Sequence, residues 1–237
     1  MGEVKPIAIP GIHKRFLAHF LAKEARKDLK ILDVGAGHGA FSKTLHEMGY
    51  EVHACDLFPE IFYYDQIECR KADLTQPLPY EDNSFDVLIA IEVMEHILDH
   101  EVFFAEARRI LKPGGRLYIS TPNILSLKSR MRFLLSGFYY SFKPLDLHNN
   151  DGLQHVASLT LDQYHYLGIR AGLRLADVSC DRYQSTSRWL MWLYPFMWLQ
   201  TRLQKIAPIH NTRTLLLGRI VFLTFLKAPE PAQSAPR

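Results

Sequence analysis

Gly35, Gly37 and Gly39 occupy alternate positions of the stretch ILDVGAGHGAF, Ile31 to Phe41. Glycine loses more conformational freedom on ordering than any other residue. Three of them just past a strand-like run therefore mark a place where something approaches the backbone. A strand that turns tightly into a helix presents N–H groups, and glycine lets a ligand reach them. Asp33 stands inside the run, Asp56 ends the next strand-like segment and Asp73 the one after. A carboxylate about 20 residues beyond such a turn is placed to accept both hydroxyls of a ribose. Asp73 is placed to meet an adenine amino group. The turn lacks the GK[ST] of a P-loop, so a phosphate cradle is not indicated.

These side chains need a sheet to position them. Residues 12–27 have apolar residues at helical spacing and predict an amphipathic helix. Strands follow at Lys30–Val34, YEVHACDL, IECRKADL and the apolar run FDVLIAIEV, with a helix at AFSKTLHEMG closed by Gly49. The stretch EHILDHEVFFAEARRIL predicts a helix stopped by KPGG, and RLYISTPN a fifth strand. The helix TLDQYHYLGIRAG, the strand LRLADVSCD and a last strand GRIVFLTFLK complete the series. Strands alternating with helices predict an α/β fold with a doubly wound, mainly parallel sheet.

The chain has 237 residues, 48% of them hydrophobic, with a net charge of +3. That composition suits a single folded domain and shows no overall polyanion-binding bias. Cys55, Cys69 and Cys180 form no CxxC pair, which favours a reducing, cytoplasmic setting. The first residues, MGEVKPIAIPG, contain no long apolar run of the signal-peptide kind, and no run reaches the length of a spanning helix.

The blocks ILDVGAGHGAF, ACDL, KADLTQPLPYEDNSFDVLIAIEVMEHI and LKPGGRLYISTPN, in this order, resemble the class I S-adenosylmethionine-dependent methyltransferases. A Rossmann dehydrogenase shares the glycine turn and the distal acid but not the EVMEH and LKPGG blocks. The resemblance implies a Rossmann-like seven-stranded sheet whose last strand is antiparallel, with S-adenosyl-L-methionine as cofactor. It implies that Gly35, Ala36, Gly37 and Gly39 pass under the methionyl part. Asp33 would orient the amino group, Asp56 and Leu57 the ribose, and Asp73 with Leu74 the adenine. Ile91 and Glu92 would line the sulfonium side. A noncatalytic relative that only binds the cofactor is the alternative of a different class, and the intact turn with its three acids argues against it.

Methyl transfer to oxygen or nitrogen requires loss of a proton from the acceptor, and so a base. His96, His148 and His155 fall after strands 4 and 5 and are the candidates. Glu92, Glu95 and His96 have the spacing E-x-x-E-H, which suits Mg²⁺ or Mn²⁺. Metal-dependent ubiquinone-pathway and small-RNA 2′-O-methyltransferases use a similar block. Metal-free relatives carry E-V-x-E-H as well, and no metal ligand is assigned from the sequence.

Two additions to this core carry the expected substrate information. Residues 124–145 and 182–227 contain no Asp or Glu, and the second contains Trp189, Trp192 and Trp198. The reading is one domain over 1–228, with core 28–123, 156–183 and 217–228, cap insertions 124–155 and 184–216, and a flexible tail 229–237. A strand-5 end and a strand 6–7 hairpin both leave the sheet at its ligand edge, so both insertions surround the acceptor pocket. Basic residues interleaved with Trp and Phe are what an interfacial membrane segment uses. The expected acceptor is a small molecule, a glycan or a lipid-linked molecule, and the insertions either meet the inner face of a membrane or form a plain hydrophobic cap or oligomer interface. The segment TPN…SRMRFLLSG resembles bacterial methyltransferases of cell-surface polysaccharide and lipid pathways. Nucleic acid is disfavoured, because Leu, Met and Trp clusters suit no wet groove and the net charge is low.

Overall fold

A computed structural model of the chain describes residues 2–149 and 151–229. Seven strands form one sheet in the order β3-β2-β1-β4-β5-β7-β6. They are β1 Lys30–Val34, β2 Glu51–Asp56, β3 Cys69–Lys71, β4 Phe85–Ile91, β5 Leu111–Pro122, β6 Leu173–Cys180 and β7 Ile220–Lys227. The first five pair in parallel, and β7 runs antiparallel to both β5 and β6. The tail predicted at 229–237 lies, apart from residue 229, outside the described residues.

Both faces of the sheet are covered, which explains why β4 is almost continuously apolar and buried. On one face α1 (Ile12–Lys23) buries Ile12, Phe16 and Phe20, and α2 (Ala40–Glu47) buries Phe41 and Leu45. On the other, α3 (His100–Ile110) contributes Phe103, Phe104 and Ala107, and α5 (Leu161–Ala171) contributes Tyr164 and Leu167. Asp99 caps α3 by accepting the Val102 N–H at 3.2 Å. That cap explains why the helix starts at His100 and not at Glu95; residues Met94–His96 form a separate 3₁₀ turn. Strand β5 also begins earlier than RLYISTPN predicts. Leu111 already pairs with Phe85, and the KPGG glycines sit in an irregularity before Arg116 meets Val87.

Strand register places both insertions at one edge. Pro122 at the end of β5 pairs with Ile220 at the start of β7, and Cys180 at the end of β6 pairs with Val221. The first insertion contains α4 (Leu127–Ser136). The second holds α6 (Ser185–Trp189), a 3₁₀ turn, α7 (Tyr194–Leu203) and α8 (Arg213–Leu217). As the position of Pro195 predicts, a helix restarts there, with the proline in its first turn. Leu127 packs with Leu190, Leu216 and Leu217, so the insertions close on each other.

Asn123 ties them to the sheet. Its buried amide donates to the carbonyls of Leu215 (2.7 Å) and Gly218 (2.9 Å) and accepts the Leu125 N–H (3.0 Å). Asn123→Ala strands the Leu215 carbonyl and the Leu125 N–H, each worth about 1–3 kcal/mol, while the Gly218 carbonyl keeps a bond from Gln184 Nε2 at 3.3 Å. We expect urea unfolding to show a loss of roughly 2–4 kcal/mol; a loss below about 0.5 kcal/mol, the range of ordinary surface changes, contradicts this role.

Candidate active site

The glycine turn is built as the motif predicts. Gly35, Gly37 and Gly39 all have positive φ, at 68°, 52° and 82°. A Cβ on Gly35 would lie 2.7 Å from Val93 Cγ2, on Gly37 2.9 Å from Ile7 Cδ1, and on Gly39 2.8 Å from Phe62 Cε2. The N–H groups of Gly35 and Ala36 donate to the Cys55 carbonyl at 2.9 and 3.1 Å, which docks the turn on β2. Gly39 caps α2 without any side-chain acceptor. Asp56 lies across the turn: Oδ2 accepts the Gly37 N–H at 2.8 Å and Oδ1 the Phe58 N–H at 2.9 Å. A carboxylate has about four acceptor positions, so two remain. Leu57 beside it is exposed.

Asp33 is buried beneath the turn, and Ser42 Oγ donates to its Oδ2 at 2.6 Å. Burial raises its pKa to about 7, which the hydrogen bond from Ser42 only partly offsets and the nearby Asp56 reinforces. Its native pKa therefore exceeds the ordinary unfolded value near 3.9. Between about pH 4 and pH 7 the unfolded chain releases this proton first, so stability falls as pH rises through that window. Compared with Asp33→Asn, the wild type should lose on the order of 2–4 kcal/mol between pH 5 and pH 8 in urea titrations. A constant difference between the two proteins contradicts the shift.

The other predicted cofactor residues are less uniform. Asp73 is exposed two residues past β3, and its Oδ1 accepts the Thr75 N–H (2.9 Å) and hydroxyl (2.7 Å). The neighbouring Ala72 N–H donates to the Asp56 carbonyl at 2.9 Å, which keeps this turn alongside β2. Leu74 and Ile91 are buried. Glu92 has φ 56°, a conformation that non-glycine residues rarely hold without a reason. Its N–H donates to the carbonyl and hydroxyl oxygens of Ser120 at 3.0 and 3.1 Å. Its Oε1 is buried without a hydrogen-bond partner. Burial and then Asp181 push its pKa up to about 8, against the pull of Arg219.

Immediately beyond, Glu95, His96 and His155 converge, with one candidate ligand atom from each within 4.8 Å of the others. The trio takes His155 where the E-x-x-E-H spacing offers Glu92. The Glu95 carbonyl accepts the Val156 and Ala157 N–H groups at 2.8 and 3.1 Å, which brings His155 in from sixty residues away. Thr121 Oγ1 donates to Glu95 Oε2 at 3.2 Å, while Glu95 Oε1 is buried without a hydrogen-bond partner. His96 Nδ1 lies 3.0 Å from the Gln154 carbonyl, which fixes the ring and leaves Nε2 as the acceptor. His155 Nδ1 is also buried and unpartnered, and the two rings meet edge to face at 5.0 Å. Burial lowers the pKa of both histidines; that of His155, with His96 beside it, falls to about 4. Both rings are thus neutral at pH 7, suited to a ligand role and weak as proton acceptors. His148, the third candidate base, is exposed on the loop after α4, its N–H held by Asp146 at 3.0 Å.

Sequence reasoning missed several neighbours. Ile7, Val93 and Phe62 press on the glycine turn, and His38 within the turn has a buried Nδ1 without a partner and a ring 5.0 Å from Tyr63. Their types carry no motif; only their placement shows them. Three of the cations of the first insertion are engaged internally. Arg130 donates to the Leu125 and His210 carbonyls and to Asn211, Arg132 donates to the Phe142 carbonyl, and Lys128 sits 3.7 Å over Tyr140.

Residues 32–119 match a family model described as a methyltransferase domain. Among curated proteins, the ubiquinone biosynthesis O-methyltransferase of Xylella fastidiosa (strain M23) is 29% identical over 164 residues, 65% of this chain and 65% of that protein. That of Xanthomonas oryzae pv. oryzae (strain PXO99A) is 33% identical over 111 residues, 42% of this chain and 46% of that protein. The matched region thus spans 65% or less of the length of these relatives. Among solved structures, a SAM-dependent methyltransferase from Archaeoglobus fulgidus superposes with a TM-score of 0.62 at 14% identity, covering 91% of this chain and 93% of that one. Phosphoethanolamine N-methyltransferase 2 from Haemonchus contortus, in complex with S-adenosyl-L-methionine, gives 0.59 at 17% identity, covering 94% and 54%. These likenesses carry the fold, and with the family match they bear out the resemblance read from the motifs.

Proposed function

We propose that this chain, whose residues 32–119 match a methyltransferase-domain family model, uses S-adenosylmethionine to methylate a hydroxyl oxygen on a small-molecule, glycan or lipid-linked acceptor. The cofactor, when bound, supplies a methyl group on a sulfonium, ready for in-line displacement. The residues present fit it: all three glycines hold positive φ at the start of α2, and Asp56 keeps about two acceptor positions beyond those taken by the Gly37 and Phe58 N–H groups. Asp56 would hold the ribose, Asp33 the amino group, and Asp73 with Leu74 the adenine. Ile91 and Glu92 would line the reacting side. Oxygen as the acceptor atom is supported by the names of the curated relatives, both O-methyltransferases.

A second reading is favoured by the convergence of Glu95, His96 and His155. A carboxylate and two neutral imidazoles, one backed by a backbone carbonyl, suit a divalent cation. Such an ion lowers the pKa of a bound hydroxyl. That would supply what the two weakly basic histidines cannot.

The test is transfer of a labelled methyl group from S-adenosylmethionine into an organic extract of source cells lacking the gene. The expected result is a labelled methyl ether with one S-adenosylhomocysteine formed per methyl group. A labelled N-methyl product, or cofactor breakdown with no labelled acceptor, contradicts the proposal. Chelator-indifferent turnover removes the metal reading alone.

A further inference from the structure

The second insertion has two apolar faces, and the protein covers only one of them. Residues 185–203 run as a nearly continuous helical path through α6, a 3₁₀ turn and α7. Leu190, Met191, Leu193 and Met197 face inward and pack with Leu127, Leu216 and Leu217. Trp189, Trp192, Phe196, Leu199 and Leu203 recur at spacings of three and four on the other side and are 50–71% exposed. A run of five large apolar side chains left in water on a single helical path marks a surface that meets something.

Charge says what it meets. Residues 182–227 contain no acid. Among the described residues Arg188, Arg202, Lys205 and Arg213 have no carboxylate within ion-pair distance; Arg202 and Arg213 lie over the Trp198 and Tyr183 rings at 5.2 and 5.4 Å and keep their charge uncompensated. Arg188 and Arg213 also line a cavity of about 400 Å³ with Tyr194 and Asn211, over Met191, Leu216 and Leu217 of the inward side. A second copy docked along the stripe would set these cations against their own mates, which disfavours self-association. A polar protein partner gives no role to the tryptophans. Trp and Phe beside Arg and Lys, on a helix with an apolar face, match the boundary of an anionic bilayer. No helix among the described residues is long and apolar enough to cross a membrane, so the contact is interfacial.

We infer that the outer face of residues 185–203 docks the protein on an anionic membrane surface. The stripe enters the headgroup boundary, and Arg188 and Arg213 meet lipid phosphates. Because this insertion leaves the sheet at the same edge as the ends of β4 and β5, docking holds that edge against the bilayer. The inference stands apart from the transfer reaction, and its test needs no turnover.

All three tryptophans lie in this segment, so intrinsic tryptophan fluorescence reports on it alone. The protein is mixed with phosphatidylcholine vesicles with and without phosphatidylglycerol, at low and high salt, with brominated lipid as quencher. The expected result is flotation with the anionic vesicles only, weakened by salt, with tryptophan quenching. The pair Phe196→Glu and Leu203→Glu, both at exposed positions, should weaken binding at least tenfold with unchanged circular dichroism. Arg188→Glu with Arg213→Glu should do the same without touching the apolar stripe. Absence of flotation by the wild type at low salt overturns the inference, as does equal binding to neutral vesicles. A dimer in sedimentation that the Phe196 and Leu203 variant disperses overturns it in favour of a second copy.

Discussion

Asp56→Ala is expected to weaken S-adenosylmethionine binding about a hundredfold while the fold persists. The carboxylate ends β2, pins the turn through the Gly37 N–H and has about two acceptor positions left over. Two hydroxyl–carboxylate hydrogen bonds at about 1.5 kcal/mol each amount to about 3 kcal/mol. At about 1.4 kcal/mol per tenfold, that is the hundredfold stated. Loss of the Gly37 anchor adds to it, because the turn at φ 52° is then held less firmly. Asp56→Asn keeps one acceptor and should lose only about tenfold. Titration calorimetry reads both variants, and circular dichroism checks the fold. An unchanged dissociation constant for Asp56→Ala would remove the ribose role.

His155→Ala is expected to abolish cation-dependent turnover and leave cofactor affinity within about threefold, a change of under 1 kcal/mol. The reason is geometric. His155 belongs to the trio with Glu95 and His96, and its ring packs on those of His96 and Phe142. Removing one of three ligands leaves an incomplete donor set, and activity should fall to about a hundredth or less. A readout independent of turnover exists. Any ion that binds only the folded state raises its stability, by about 2.7 kcal/mol at a hundred times its dissociation constant. Mn²⁺ should therefore raise the melting temperature of the wild type and leave that of His155→Ala unmoved. Equal stabilisation of both proteins would place the ion elsewhere.

The core of the fold was legible because its signals are local. Alternating strands and helices, a glycine turn and acids at strand ends are short-range patterns, and the seven strands with an antiparallel β7 followed from the resemblance they carry; the strand order came from the structure. Boundaries were less so. The cap at Asp99 overrides the apolar spacing of EHIL, and the pairing of Leu111 with Phe85 overrides the breaker KPGG. The site was readable where it is contiguous and opaque where it is assembled. Glu95 and His96 stood in one motif; His155 reaches them only because backbone bonds from Val156 and Ala157 draw a long loop onto the Glu95 carbonyl. No periodicity encodes that. Composition says nothing of what each cation does. A count of Arg and Lys cannot tell Arg130, which holds two loops together, from Arg188, which has no acid beside it.

The most direct test of the cofactor cradle is calorimetric titration of the purified, folded protein with S-adenosylmethionine and S-adenosylhomocysteine. Micromolar binding of both at one site per chain, lost in Asp56→Ala, is the predicted result. No heat of binding from either compound, on protein whose circular dichroism shows the α/β fold intact, would contradict the assignment of the glycine turn and of the transfer reaction built on it.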